Sequence, residues 1–258
     1  MGILETYNYY YEMSDPRVEN WFLVGSLWPI SLILFSYLYF VFQCGPRYME
    51  NRPAYKFKNF IRVYNIFQVI ANAYIVNEIW EVYPDLTVLQ CIPIDYSTTP
   101  GALRIVKACY YSTMLKVVDL IETGLFVLRK KNNQISFLHV YHHITTVLVG
   151  VVFVRYVSGG MAVLFPALNG AVHVIMYSYY FLSSIEGIKD VVLPLKRYVT
   201  IIQMVQFVIF LLHLLIALSP SCPVPKFPVL VMIPNVLLNF TLFYNFYKKA
   251  YLNSKTKK

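Results

Sequence analysis

Along the chain, long apolar stretches alternate with short polar connections, and seven of them are long enough to matter: 21–43, 60–83, 108–128, 136–157, 161–185, 192–218 and 227–247. A helix that crosses a bilayer needs about 20 mostly apolar residues, so the pattern predicts an all-α fold of seven transmembrane helices. These stretches use most of the chain, which leaves one multi-pass domain over 1–258, with a leading segment at 1–20 and a basic tail at 248–258. Pro29, Pro166 and Pro234 fall inside three of the stretches. Proline is tolerated in membrane helices, and Pro29 is expected to kink the first.

The polar residues inside these stretches are not scattered. Lys116, Asp119, Glu122 and Thr123 of the third share a sector of roughly 120° on a helix turning ~100° per residue. His139, His142 and His143 of the fourth share roughly 100° in the same way. The fifth carries Asn169, His173, Met176, Tyr177 and Tyr180, and the sixth carries Thr200, Gln203 and Gln206 at intervals of three. Ionisable groups in membrane helices face a bundle interior or a cavity. With a rise of ~1.5 Å per residue, the four stripes can meet between one face and the middle of the bilayer. The pattern thus predicts a polar pocket continuing into an apolar tunnel, suited to an amphipathic substrate with a long hydrocarbon tail. His213 lies apart in an apolar run and is expected to be a core histidine with one hydrogen bond.

Composition supports the membrane reading, with 58% hydrophobic and 14% charged residues. A net charge of +9 could suggest nucleic acid, but its placement argues against that. Arg47, Arg52, Lys56, Lys58, Arg129, Lys130, Lys131, Lys196, Arg197 and the lysines of the tail fall in alternate connections. By the positive-inside rule that side is cytosolic, so seven spans put the C-terminus in the cytosol and the N-terminus in the lumen. The acidic start, with Glu5, Glu12, Asp15 and Glu19, does not resemble a cleaved signal peptide. On this topology Cys91 and Cys222 both lie on the oxidising side, and a disulfide between them is predicted. Cys44 and Cys109 are expected to be small buried hydrophobes. The sequon at Asn239 to Thr241 falls inside the last stretch, which argues against glycosylation.

Two chemistries compete for the histidines. A metal site resembling that of membrane desaturases and hydroxylases would use them as ligands, but five histidines are too few for the usual di-iron shell. A metal-free site suits acyl transfer: a neutral imidazole attacks a thioester, and a second nucleophile takes the acyl group. An amide such as Asn169 can stabilise an oxyanion. A non-enzymatic seven-span lipid transporter is the reading from a different class.

The residues resemble the ELO-type fatty acid elongases, very-long-chain 3-oxoacyl-CoA synthases, from about Trp21 to the tail. The resemblance rests on His139-Val140-Tyr141-His142-His143, on Lys116 to Thr123 followed by Phe126 to Lys131, on Asn169 to Tyr180, on Thr200 to Gln206 and on Gly45 to Arg52. It implies condensation of a long-chain acyl-CoA with malonyl-CoA to give a 3-oxoacyl-CoA two carbons longer, with no cofactor beyond these substrates. It further implies His142 as the acyl-carrying nucleophile, oriented by His139, His143 and Asp119. Asn169 and His173 would bind the thioester or malonyl group. Lys116, Arg129, Lys130, Lys196 and Arg197 would meet phosphates or the malonyl carboxylate, and Glu122, Thr123, Tyr177, Gln203 and Gln206 would line the chamber. Glu122 stands where the family pattern has Asp, so its carboxylate reaches one methylene further. The resemblance implies an endoplasmic reticulum membrane, work beside the reductases and dehydratase of the elongation cycle, no nucleic acid, and allows a homo-oligomer.

Overall fold

The computed structural model describes residues 2–84 and 89–253, and every regular element among them is a helix. A short α1, Ile3–Glu12, leads into α2, Leu27–Tyr39, which runs on through a π-helical turn at Phe40–Cys44 into α3, Gly45–Met49. Then come α4 (Lys58–Trp80), α5 (Pro100–Leu128), α6 (Phe137–Tyr156), α7 (Leu164–Ser183), the short α8 (Lys189–Val192), α9 (Lys196–Ala217) and α10 (Lys226–Tyr247). The end of the basic tail, including Lys255, Lys257 and Lys258, lies outside the described residues, as do residues 85–88 of the second connection.

Local chemistry sets the helix starts. Ser136 accepts the His139 N–H at 3.2 Å at the head of α6, and Thr99 accepts the Ala102 N–H at 3.4 Å with Pro100 as the first residue of α5. Such caps satisfy amides that have no intrahelical partner. For this reason α5 begins at Pro100, not at 108. Its first turns are too polar to read as membrane, because Arg104 pairs with Glu78 of α4 at 2.7 and 3.0 Å. Pro29 is the third residue of α2, where no intrahelical N–H is needed, so the expected cause of a kink is absent there. Pro234 does lie inside α10.

Among the described residues, five helical stretches are long and apolar enough to cross a membrane: Leu27–Met49, Phe137–Tyr156, Gly160–Ser183, Lys189–Ala217 and Lys226–Leu252. Helices α4 and α5 have 23 and 29 residues but are more polar. Their polar groups, among them Asn65, Gln68, Asn72, Lys116 and Asp119, are buried against protein.

Six helices close a ring in the order α4, α5, α6, α10, α9, α7 and back to α4. Helix α2 stands outside it, with Ile30, Leu34, Tyr37 and Val41 packed on Leu120 and Val127 of α5 and Val140, Val147 and Val151 of α6. Close approach within the ring needs small residues. At Gly170 of α7, a Cβ would come within 2.9 Å of Val76 of α4, and at Gly150 of α6 within 2.9 Å of the Thr113 hydroxyl of α5.

One end of the ring is covered. Arg155, 1% exposed, donates to the Val24 carbonyl at 2.6 Å and lies 4.3 Å from the centre of the Tyr11 ring. Arg17 pairs with Asp15 at 2.6 Å and donates to the carbonyls of Asp95 and Ser97 at 2.7 and 3.0 Å. Segment 13–26 is thereby tied to the connection before α5. That connection also passes under the Gly159–Gly160 turn, where Met161 N–H donates to the Ile92 carbonyl at 3.0 Å. Both glycines have positive φ, +144° and +51°, and a Cβ on Gly160 would sit 2.5 Å from that carbonyl. Here glycine is a steric requirement.

Cys91 and Cys222 form a disulfide at the same end, Cα to Cα 5.5 Å, across 131 residues of sequence. Cys109 is buried as expected, but Cys44 is exposed, because it lies on the outward side of the π-helical turn after α2. Non-reducing peptide mapping should recover Cys91 and Cys222 as one linked pair. Replacing Cys91→Ser should lower the unfolding free energy by ~2–5 kcal/mol, seen as a lower melting temperature. Two free thiols, or an unchanged melting temperature, would contradict the tie.

Candidate active site

The ring surrounds a partly open cavity of about 140 Å³. Its polar wall is drawn from Lys116 of α5, His142 and Thr146 of α6, Asn169 of α7, Gln206 of α9 and Asn239 of α10. Towards the covered end the wall becomes apolar, through Phe153, Val157 and Phe165. A second, smaller cavity of about 50 Å³ lies beyond, walled by Met161, His213, Ala217 and Val229, and the two share Phe153, Val157, Ala162 and Phe165. The Phe153 and Phe165 rings meet edge to face at 5.9 Å, and Phe165 lies 4.6 Å from Phe210. These rings stand between the two spaces. His213 meets one partner, the Met161 carbonyl at 2.8 Å, in line with a core histidine.

The charged centre is Lys116 and Asp119, 8% and 2% exposed. The Lys116 ammonium donates to Asp119 Oδ2 at 3.0 Å and to His173 Nδ1 at 3.1 Å. The other carboxylate oxygen, Oδ1, accepts from Gln68 at 2.7 Å, from Tyr177 at 3.1 Å and, at the limit of 3.5 Å, from Tyr64. Gln68 also donates to Tyr64 at 2.8 Å and accepts from Asn72 at 3.1 Å. An ammonium only donates, so His173 Nδ1 is an acceptor and its ring proton is on Nε2. Both Asp119 oxygens accept hydrogen bonds, so Asp119 fixes Lys116 and Tyr177. Tyr177 also neighbours Glu122.

The histidine cluster is organised differently. Tyr37 of α2 donates to the Thr123 hydroxyl at 3.0 Å, and that hydroxyl pairs with His139 Nε2 at 2.8 Å. The His139 and His143 rings lie 4.2 Å apart, and those of His142 and His143 lie 5.8 Å apart. His142 pairs through Nδ1 with Asn239 Oδ1 at 3.1 Å. Phe243 and Phe207 stand edge on to its ring at 5.6 and 6.4 Å. Of the three, only His142 lines the cavity.

Not all residues singled out by sequence reach this space. Thr200 bonds back to the Lys196 carbonyl at 3.2 Å, and Gln203 donates to the Met176 sulfur at 3.1 Å. Tyr180 is partly exposed beside the Tyr177 ring, at 6.0 Å. Lys196 is exposed at the head of α9, and Arg197 is held on Tyr247, its Nε donating to the hydroxyl at 2.8 Å. Arg129 closes α5, and Lys130, at φ +53°, reaches towards the Glu50 carbonyl at 3.4 Å. These cations gather near the end of the ring opposite the disulfide, where Lys58 also pairs with Glu186 and holds its carboxyl below the ordinary range. Sequence reasoning missed Tyr64, Gln68 and Asn72, and Asn235 and Asn239, although both sets recur at intervals of four, one helix face. Among the described residues no three His, Cys, Asp or Glu side chains gather into a metal-binding group.

Fold and site together define an all-helical, multi-pass type of membrane protein whose ring of helices encloses an imidazole-bearing chamber with an apolar extension. Residues 22–258 match the ELO family, described as the GNS1/SUR4 family. The chain is 36% identical to very long chain fatty acid elongase 4 of Homo sapiens over 256 residues, 99% of this chain and 81% of that protein. It is also 36% identical to elongase 1 of Mus musculus, over 96% of this chain and 91% of that protein. Elongase 7 of Rattus norvegicus is 36% identical over 95% and 88%. The chain therefore belongs to the GNS1/SUR4 family.

Lys116→Met should leave the Asp119 carboxylate buried without its ammonium and cost ~3–5 kcal/mol of stability. The double variant Lys116→Met/Asp119→Asn should recover much of that loss. Thermal melting of the purified proteins reads both, and equal melting of the single and double variants would mean that the pair carries no charge.

Proposed function

We propose that this protein is a fatty acid elongase that condenses a long-chain acyl-CoA with malonyl-CoA, releasing CO2 and CoA and giving a 3-oxoacyl-CoA two carbons longer. The observation that carries the reading is one cavity, polar around His142 and apolar beyond Thr146 and Gly150, in a chain whose curated relatives are named very long chain fatty acid elongases. Such a space suits a thioester at the imidazole and a hydrocarbon tail in the extension.

In this reading the His142 Nε2 lone pair attacks the acyl thioester carbonyl. The C–S bond breaks, CoA leaves as the thiolate and takes a proton from water, and the acyl group rests on the imidazole as an acyl-imidazolium. Malonyl-CoA then loses CO2, and the resulting enolate carbon attacks the acyl carbonyl. A C–C bond forms, the C–N bond breaks, and the imidazole returns. Lys116, held by Asp119, and Asn169, on the cavity wall, supply positive charge and an amide where the enolate and oxyanion develop. Exclusion of water by the aromatic and aliphatic walls protects the acyl-imidazole from hydrolysis.

The membrane arrangement belongs to the same proposal. Helices α4 and α5 cross with the five apolar stretches, for seven spans in all, because their polar residues are paired inside the ring. The disulfide end faces the lumen of the endoplasmic reticulum, and the cationic end and the C-terminus face the cytosol. There Arg129, Lys130, Lys196 and Arg197 are placed to meet CoA phosphates, and the reductases and dehydratase of the cycle take the product. The reaction draws on its two thioester substrates without a resident metal.

His142→Ala should abolish labelled 3-oxoacyl-CoA formation from malonyl-CoA in membranes while the protein still accumulates and inserts. Near-normal product would remove His142 from the nucleophile role. Phe165→Ala should open the partition between the two cavities and lengthen the longest product by at least one two-carbon step in chain-length profiling. An unchanged profile would mean that this aromatic cluster does not limit the tail.

A further inference from the structure

We infer that Asn239 of α10 is a positioning residue that fixes the tautomer of His142, so that the nitrogen turned to the cavity carries a lone pair. The inference rests on the reading of His142 as nucleophile and goes beyond it, because it brings the last helix into the site.

The argument is one of donors and acceptors. Asn239 is 3% exposed, so water does not satisfy it. Its amide nitrogen donates to the Asn235 backbone carbonyl at 2.9 Å and to Asn235 Oδ1 at 3.2 Å. Tyr141 donates to that same Oδ1 at 3.1 Å, which holds the Asn235 amide in place from α6. Turning the Asn239 amide over would set its oxygen against two acceptor oxygens, so one orientation survives. In it the Asn239 carbonyl oxygen faces His142 Nδ1 at 3.1 Å. A carbonyl oxygen only accepts, so Nδ1 carries the hydrogen and Nε2 carries the lone pair.

The neighbouring imidazoles differ. His139 Nε2 is engaged by the Thr123 hydroxyl and His173 Nδ1 by the Lys116 ammonium, and neither ring lines the cavity. In His142 the engaged nitrogen is the one bearing hydrogen, and its ring is the one on the cavity wall. An unpositioned ring would share its proton between the two nitrogens, and each molecule with hydrogen on Nε2 would be unable to attack. Partners that set ring orientation in this way are typically worth 10–100-fold in activity.

The test compares Asn239→Leu with Asn239→Asp in membranes, beside wild type and His142→Ala. Leucine keeps bulk and removes the acceptor. Aspartate keeps an acceptor oxygen beside Nδ1, and in its protonated form still donates to Asn235. We expect Asn239→Leu to lower kcat about 10- to 100-fold, with KM for both CoA substrates and the melting temperature near wild type. It should slow CoA release from acyl-CoA alone, the step before malonyl-CoA is needed, by the same factor. Asn239→Asp should recover most of kcat. Wild-type kcat in Asn239→Leu would overturn the inference, as would equal loss in both variants, which would mark a packing role. Full elongation by His142→Ala would instead overturn the nucleophile reading, and this inference with it.

Discussion

A lysine and an aspartate buried among apolar helices govern this structure. Removing either charge from water costs several kcal/mol, which is offset only when the partner and every remaining lone pair are satisfied. Lys116 and Asp119 gather their partners from three helices at once: Gln68 and Tyr64 from α4, their own α5, and His173 and Tyr177 from α7. The network cannot form unless α4 packs against both α5 and α7, which is how the ring closes on that side. The polar character that makes α4 and α5 poor membrane helices by composition is the same feature that holds them in the bundle.

The far side of the ring has a gentler version of the same demand. There the polar groups are neutral: Tyr141, His142, Asn235 and Asn239 join α6 to α10. Neutral amides and imidazoles cost less to bury than charges, so this side can leave one nitrogen facing open space. The chamber thus has a charged wall at Lys116 and a neutral, imidazole-bearing wall at His142. Acyl transfer through a covalent intermediate uses both kinds, one for developing negative charge and one for attack.

Openness is asymmetric too. Arg155, Arg17, the Gly159–Gly160 turn and the disulfide between Cys91 and Cys222 pin the connections across one end. At the other end exposed cations surround the helix termini. The chamber wall towards that covered end is lined by Phe153, Phe165 and Phe210.

Hydrophobic length and period were enough to give an all-helical chain, and the spacing of polar positions brought Lys116, His142, Asn169 and Gln206 to the chamber wall. These signals are local: a residue's face follows from the helical repeat alone. The Cys91 and Cys222 pairing followed from topology because charge placement sorts connections into sides. What tertiary structure decided was the partner of each group. Asp119 is bound to Gln68 and Tyr177, not to the histidines of α6, and His142 is held by Asn239, not by its neighbours in sequence. Arg197 sits on Tyr247, away from the cavity, and Cys44 faces outward. Those outcomes depend on which helices close the ring, and packing between elements distant in sequence leaves no periodic trace within either one.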